Sequence, residues 1–347
     1  MAELWFWIVS VMVAIYVVMD GFDFGAGALH LFVAKTNDER RQVLAAIGPL
    51  WDANEVWLLA SGGALVLSFP RVLAAGFSGF YLAMFLVLWT LIIRGISIEF
   101  RSHVHDPLWR AFWDVAFAGA SLLLPVLLGA ALGNVLRGVP LGADGTFELA
   151  LFTTFAPANP VGLLDWYTTL VGVFALVTLA AEGSVFLAWK TDAAVQARSV
   201  AAARWLWTAT GLLWLVVLIA TVVVRPGLVD TMVRPLSLLA LAAALGGYAL
   251  VIGGVLRQRY LMAFLGSATF ILSALAGTAA AVFPVMLPST ISPAYDLTAV
   301  NAASSTMGLG TAFVWWCVGF PIAIVYFAFL FRLHRGTVTA AREGEGY

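Results

Sequence analysis

Residues 4–32 decide the fold, and they read LWFWIVSVMVAIYVVMDGFDFGAGALHLF. The only residues in this stretch that carry a full charge at neutral pH are Asp20 and Asp23. About 20 apolar residues, at 1.5 Å each, are enough for a helix to cross the hydrocarbon core of a bilayer. Since lipid offers the backbone no hydrogen-bond partner, a segment of this kind must be helical. The stretch therefore predicts a first transmembrane helix.

Eight further segments have the same character, and together they predict an all-α polytopic membrane protein with nine transmembrane helices. The composition agrees, with 62% hydrophobic residues, 11% charged residues and a mean hydropathy of +0.97. A soluble chain carries about 25% charged residues. The net charge of −1 favours no nucleic-acid partner. The predicted spans are 4–32, 51–69, 76–96, 112–136, 163–189, 205–224, 235–255, 261–287 and 309–331.

The basic residues predict the orientation, because loops rich in Lys and Arg stay in the cytoplasm. With the N-terminus outside, the C-terminus is cytoplasmic, thirteen basic residues lie in inner segments and four lie in outer segments. The inner ones are Lys35, Arg40, Arg41, Arg101, Arg110, Lys190, Arg198, Arg204, Arg257, Arg259, Arg332, Arg335 and Arg342. The outer ones are Arg71, Arg137, Arg225 and Arg234.

A weak internal similarity predicts how the single membrane domain, 1–347, is organised. Asp20-Gly21 is followed by an apolar stretch and Lys35-Thr36, and Glu182-Gly183 is followed by an apolar stretch and Lys190-Thr191. Membrane folds often duplicate such units. One hypothesis is a repeat of 1–140 and 160–287, giving two four-helix units, with 309–331 as a peripheral ninth helix. The alternative is chance similarity between apolar helices.

Ionisable residues inside spans cost roughly 2.5–3.5 kcal/mol each near the bilayer centre, so they need a reason. In the predicted orientation, seven such residues, within spans or at their ends, fall in the cytoplasmic half of the membrane. One interpretation is a proton or cation entry path, with Arg94 as counter-charge. The other is a set of static ion pairs and helix caps, in which Asp52 and Glu55 serve the start of the second span. The seven are Asp20, Asp23, Asp52, Glu55, Arg94, Glu99 and Glu182.

Other residue types add weaker predictions. Gly21, Gly25 and the pair Gly62-Gly63 favour close helix packing. Trp51 and Trp57 are candidates for a quinone or lipid groove, as are Trp166, Trp315 and Trp316, although tryptophan also marks membrane interfaces. No histidine lies in the middle of a predicted span, so this chain alone is not expected to hold a haem, and no metal site is predicted. The single Cys317 excludes an internal disulfide.

Several blocks together resemble subunit II of the cytochrome bd quinol oxidase family. The resemblance covers the whole chain and is strongest over its first 110 residues. Ala53 stands where the family often has Gly. The blocks are DGFDFG at 20–25, GPLWDANEVWL at 48–58, FSGFY at 77–81, RGISIEFR at 94–101 and MLPST at 286–290.

The resemblance implies a non-haem subunit of a respiratory terminal oxidase that reduces oxygen to water with electrons from quinol. Its partner, subunit I, would carry two b-type haems and haem d, so that this chain would hold no cofactor by itself except a structural quinone. Small single-span subunits and lipid are further expected partners. The expected location is the cytoplasmic (inner) membrane of a bacterium or archaeon.

The resemblance also implies roles for single acids. The family residue that matches Asp52 is associated with a proton channel, and the one that matches Asp23 is a recurrent buried acid. The proton-transfer candidates are therefore Asp20, Asp23, Asp52, Glu55 and Glu99. Two other hypotheses stay open, namely a proton-coupled secondary transporter and a purely structural scaffold for subunit I.

Overall fold

The computed structural model describes residues 1–157 and 161–339, and most of them are helical. A short antiparallel pair, β1 (Val285–Leu287) and β2 (Leu297–Thr298), lies between the last two helices. The helices are α1 (Ala2–Val33), α2 (Asn37–Ile47), α3 (Trp51–Ser68), α4 (Pro70–Gly79), α5 (Tyr81–Phe100), α6 (Pro107–Arg137), α7 (Trp166–Lys190), α8 (Ala193–Val224), α9 (Val229–Met232), α10 (Pro235–Leu256), α11 (Tyr260–Val282) and α12 (Thr306–Leu333).

Within the described residues, eight helices are each long and apolar enough to cross a membrane: α1, α5, α6, α7, α8, α10, α11 and α12. Helices α3 and α4 meet this test only as a pair, and the pair is bent by 116°. The bend falls at Phe69-Pro70, where Pro70 begins the new helix. Proline is suited to a first helical turn, and it cannot donate the backbone hydrogen bond that would continue the preceding helix. The prediction of nine spans is thus met when the bent pair counts as one.

Several predicted boundaries were wrong. The predicted span 76–96 begins inside α4, and its continuous part is α5. Helix α8 begins at Ala193 rather than at 205, because its alanine-rich first turns favour a helix beyond the apolar core. Helix α11 ends at Val282, shortly before Pro284, rather than at 287. Helix α2 was missed altogether, since it is short and polar.

Helices α1 and α7 form the centre of the bundle. Helix α1 packs against α3, α6, α7 and α11, and helix α7 packs against α1, α6, α8 and α11. Helix pairs α5·α6 and α10·α11 flank this centre. A repeat of 1–140 and 160–287 would place α1 and α7, and the pairs α5·α6 and α10·α11, in equivalent positions. The repeat stays a prediction. Only 6% of the most apolar 18-residue stretch of α12 is buried inside the bundle. This helix corresponds to the predicted peripheral helix.

The backbones of α1 and α7 approach closely where two glycines meet. A Cβ atom on Gly25 would stand 2.0 Å from the carbonyl oxygen of Leu179, and one on Gly183 would stand 2.2 Å from the carbonyl carbon of Gly25. Only glycine fits such a crossing, as Gly25 led us to expect. No atom of the described chain lies within 4 Å of a Cβ built at Gly62 or Gly63, so close packing at this pair stays a prediction.

Candidate functional site

Arg94 is the centre of a buried charge cluster between α1, α3 and α5. It lies in the last two turns of α5 and is 0% exposed. Its Nη1 donates to Asp20 Oδ1 at 2.7 Å and its Nη2 donates to Glu55 Oε1 at 2.6 Å. The guanidinium also lies over the Phe24 ring, 4.4 Å from its centroid. The predicted counter-charge therefore joins two of the predicted acids from different helices.

Asp23 belongs to the same cluster through a neutral partner. Asn54 Nδ2 donates to Asp23 Oδ2 at 2.7 Å, and both side chains are buried. Asp20 Oδ2, Asp23 Oδ1 and Asn54 Oδ1 are buried and have no hydrogen-bond partner among the described residues. Buried polar atoms of this kind are where proteins hold ordered water.

The acids of α3 lead from this buried cluster to the surface. The Glu55 side chain is 27% exposed, and Asp52, one turn earlier, is exposed. Residues three apart on a helix share a face, so both carboxylates lie on the side of α3 that reaches Arg94. Asp52 is not the N-cap of α3, because that residue is Leu50 and no side chain there makes a capping hydrogen bond. It lies in the first turn, where a carboxylate can interact with the helix dipole.

Two other acids lie apart from the Arg94 contacts. Glu99 is exposed near the end of α5, close to the loop that begins at Arg101. Glu182, on α7, is completely buried, and its Oε2 lies 2.7 Å from where a Cβ on Gly21 would stand. Neither carboxyl oxygen of Glu182 has a hydrogen-bond partner among the described residues.

Sequence reasoning missed a second buried network around Asp114 on α6. Asp114 Oδ1 contacts His30 Nε2 at 2.6 Å and accepts from Arg101 Nε at 2.5 Å. Asp114 Oδ2 accepts from Arg40 Nη1 at 2.9 Å. This network joins α1, α2, α5 and α6. A lone acid near the start of an apolar span, with unassigned arginines in the adjoining loops, was the available signal.

Helix α2 is fixed over the bundle by a further ion pair. Thr36 and Glu39 form a capping box, and Arg198 donates two hydrogen bonds of 2.9 Å to the Glu39 carboxylate. These bonds, with those from the Lys35 and Thr36 amides, lower the pKa of Glu39 to about 2. Since a hydrogen-bonded carboxylate favours its charged form, Glu39 is ionised under ordinary conditions.

An apolar cavity of about 350 Å³ lies between α1, α3, α6, α7 and α11. Two of its lining residues, Tyr16 and Thr178, bring hydroxyl groups to it, and the Thr178 hydroxyl is buried without a hydrogen-bond partner among the described residues. Trp51 and Trp57 are buried and are not among its lining residues. Trp57 packs instead against Phe320 and Phe327 of α12.

The cavity lining contains no histidine, cysteine or methionine, which are common axial ligands of haem iron, but it does contain Tyr16. His30 is buried, and its Nε2 is engaged by Asp114. His103 and His105 are exposed, and His334 follows α12. The expectation that this chain alone holds no haem stays a prediction.

The helices and the buried acids define a multi-pass α-helical membrane protein with an ion cluster inside its bundle. The chain belongs to the family of cytochrome bd terminal oxidase subunit II, whose family model matches residues 1–334. The resemblance seen in the sequence is thereby confirmed, and the family places the chain in a bacterial inner membrane.

Individual relatives agree with this assignment. Subunit 2 of the cytochrome bd-I ubiquinol oxidase of Escherichia coli (strain K12) is 36% identical over 201 residues, 58% of this chain and 52% of the relative. Subunit 2 of the cytochrome bd ubiquinol oxidase of Bacillus subtilis (strain 168) is 34% identical over 197 residues, 57% of this chain and 56% of the relative. The chain thus matches about half the length of these relatives.

The fold is also similar to a solved one. A chain of the bd oxidase from Geobacillus thermodenitrificans superimposes with a TM-score of 0.75 at 19% identity, over 96% of this chain and 98% of that one. At this identity the likeness concerns the fold alone.

Proposed function

We propose that this chain is the non-haem subunit of a quinol-oxidising terminal oxidase and that it delivers cytoplasmic protons to the haem-bearing subunit I. The observation that supports this is the graded exposure of linked acids. Asp20 and Asp23 are buried, Glu55 is partly exposed, and Asp52 is exposed, while Arg94 holds Asp20 and Glu55 together. Reduction of oxygen to water consumes protons, and carboxyl groups are among the side chains that transfer them.

The same face of α3 is the proposed docking surface for subunit I. Val56 and Leu59 are 54% and 75% exposed beside Asp52, and Gly62 and Gly63 leave the helix open to close approach by another helix. A carboxylate at a membrane-facing surface is costly unless a polar partner covers it. A proton that reaches Asp52 or Glu55 would thus leave this chain at the subunit interface.

In this proposal the N-terminus lies outside, so that the ends of α1 and α5 that carry Asp20 and Arg94 lie toward the cytoplasm. The positive-inside distribution of Lys and Arg supports this orientation. A cysteine placed in the 103–105 loop should react with a membrane-impermeant reagent from the cytoplasmic side only. One placed at Asp144 should react from the outside only. The reverse labelling would contradict the proton source as well as the topology.

Replacing Asp20 by Asn tests the delivery role. Asn preserves size and an acceptor oxygen but cannot carry the proton. We expect Asp20→Asn to slow oxygen consumption per haem d in the assembled complex by about tenfold or more, which is ~1.4 kcal/mol in activation free energy. The control is Glu148→Gln, because Glu148 is an exposed acid on the loop after α6. Full activity of Asp20→Asn with normal haem content would contradict the proposal.

A structural quinone or a lipid is a second proposed ligand, and the cavity supports it better than Trp51 and Trp57 do. Its volume lies in the range of small-molecule sites, about 300–1,000 Å³. The hydroxyls of Tyr16 and Thr178 would donate to a carbonyl of the bound molecule. Extraction and mass spectrometry of the purified complex should find one apolar molecule that is lost on Thr178→Val together with Tyr16→Phe.

Two other functions make different predictions. A proton-coupled secondary transporter would move a solute in vesicles and would purify without haem. A static scaffold would keep full oxidase activity when the acids are replaced by amides. Haem absorbance of the purified protein and the activity of Asp20→Asn therefore separate the three functions.

A further inference from the structure

Glu182 is a buried membrane acid that the role proposed above does not use. It is 0% exposed, and both of its carboxyl oxygens lack a hydrogen-bond partner among the described residues. Asp114, which is also buried in a predicted span, is contacted by His30, Arg40 and Arg101. The two carboxyl groups therefore have opposite surroundings. An ionised carboxylate buried without a partner costs far more than a neutral acid in the same place.

The fold makes room for this carboxyl group beside the acids of α1. Gly21 lies between Asp20 and Asp23, and Glu182 Oε2 lies 2.7 Å from where its Cβ would stand. A side chain at position 21 would therefore displace the carboxyl group. Asp20 and Asp23, on either side of Gly21 in α1, are the buried acids nearest in sequence to this contact. Glu182 thus approaches α1 at the level of the cluster, but from the side of α7.

The unpartnered polar atoms of α1 and α7 at this level are carboxyl oxygens. Asp20 Oδ2, Asp23 Oδ1 and both carboxyl oxygens of Glu182 are buried and have no hydrogen-bond partner among the described residues. Unsatisfied polar atoms of this kind are sites for ordered water, which needs two to four polar partners.

We propose that Glu182 is a proton-binding site of the bundle interior, which carries a proton at rest and exchanges it with Asp23 through water held between α1 and α7. In the exchange, the Glu182 carboxylic acid loses its proton and becomes a carboxylate, while the Asp23 carboxylate gains one; no electrons move. This inference rests on the proposed proton delivery. It adds a group that holds a proton on the side of α1 that faces α7. Water is the only other participant.

Infrared spectra of the assembled oxidase, compared between the wild type and single variants, test the inference. We expect a carbonyl stretch of a protonated carboxylic acid that is lost in Glu182→Gln, is shifted in Glu182→Asp and stays unchanged in Glu148→Gln. In the wild-type complex, transfer to D₂O should shift this band to lower frequency, because the proton exchanges with internal water. Asp23→Asn should change the frequency of the band without removing it.

Two results would overturn the proton-binding role of Glu182. An unchanged acid band in Glu182→Gln with normal haem content would show that Glu182 is ionised at rest, which overturns the inference. A band that does not shift in D₂O would show a neutral acid without access to water, which also overturns it. If Glu182→Gln fails to assemble, Glu182→Asp and the wild-type D₂O shift decide. Failure of the delivery role is separate, since it appears as full turnover in Asp20→Asn.

Discussion

Arg94 Nη1 donates to Asp20 Oδ1 at 2.7 Å, and both side chains are completely buried. The pair joins α5 to α1 inside a bundle whose other contacts are mainly apolar. A buried ion pair adds little net stability compared with apolar residues, but removing one partner leaves an uncompensated charge. This asymmetry determines how substitutions at the cluster should behave.

Arg94→Gln should destabilise the assembled complex by about 3–5 kcal/mol, because Asp20 and Glu55 lose their counter-charge. The double variant Arg94→Gln with Asp20→Asn should recover part of this loss. Thermal unfolding of the complex in detergent measures both. Arg71→Gln is the control, since Arg71 is exposed and donates to the backbone carbonyl of Asn301, which is also exposed. Strictly additive effects of the two cluster substitutions would contradict the coupling.

Asp52→Asn should leave assembly and haem content nearly intact while slowing steady-state quinol oxidation. Because no capping hydrogen bond is made at the start of α3, Asp52→Ala should behave like Asp52→Asn rather than disrupt assembly. Oxygen consumption normalised to haem d is the measurement. Assembly loss in the Ala variant alone would show that the first turn needs the carboxylate or amide oxygen after all.

Asp114→Asn should loosen the contact between α2 and the bundle by about 3–5 kcal/mol, because Arg101 is buried and keeps its charge. Faster proteolysis in residues 34–50 of the assembled complex would report it. Asp38→Asn provides a matched control on α2: its side chain is 75% exposed and pairs with Arg41 three residues on. An exposed pair of this kind contributes about 0.3–0.5 kcal/mol. Equal effects of the two substitutions would argue against the network.

Glu39 should make the docking of α2 pH-dependent. Its pKa is lowered from an ordinary value of 4.5 to about 2, chiefly by Arg198. A lowered folded-state pKa means that the added stability is complete above about pH 4.5 and is lost as the pH falls toward about 2. The unfolding temperature of wild type minus that of Glu39→Gln should therefore be constant near neutral pH and shrink below about pH 4.5. A constant difference down to the acid limit would contradict the role of this ion pair.

Gly25→Ala should impair folding of the bundle, because the new methyl group would overlap the Leu179 carbonyl oxygen at the crossing of α1 and α7. Overpacking of this kind costs at least about 1–3 kcal/mol. The yield of folded complex by gel filtration is the measurement. Gly246→Ala serves as control, since no atom of the described chain lies within 4 Å of its Cβ position. Normal yield from Gly25→Ala would show that α1 and α7 can separate.

The candidate site could be predicted in part from the sequence. The cost of charge in lipid identified Asp20, Asp23, Glu55 and Arg94, and the structure brings these four together. It could not identify the partners. Asn54 is neutral and carries no such signal, and Asp114 is balanced by arginines from segments that sequence alone treats as separate loops.

The sequence by itself determined that the chain is a multi-pass helical membrane protein, where most of its spans lie and which family it belongs to. Those features depend on local hydrophobicity and on short motifs, and each can be seen within one segment. Only the tertiary structure decided that α3 and α4 bend at Phe69-Pro70, that Asp52 is exposed and that Glu182 is buried without a partner. These outcomes depend on which helix faces meet, and that is set by contacts such as Gly25 against Gly183, between residues more than 150 positions apart in the chain.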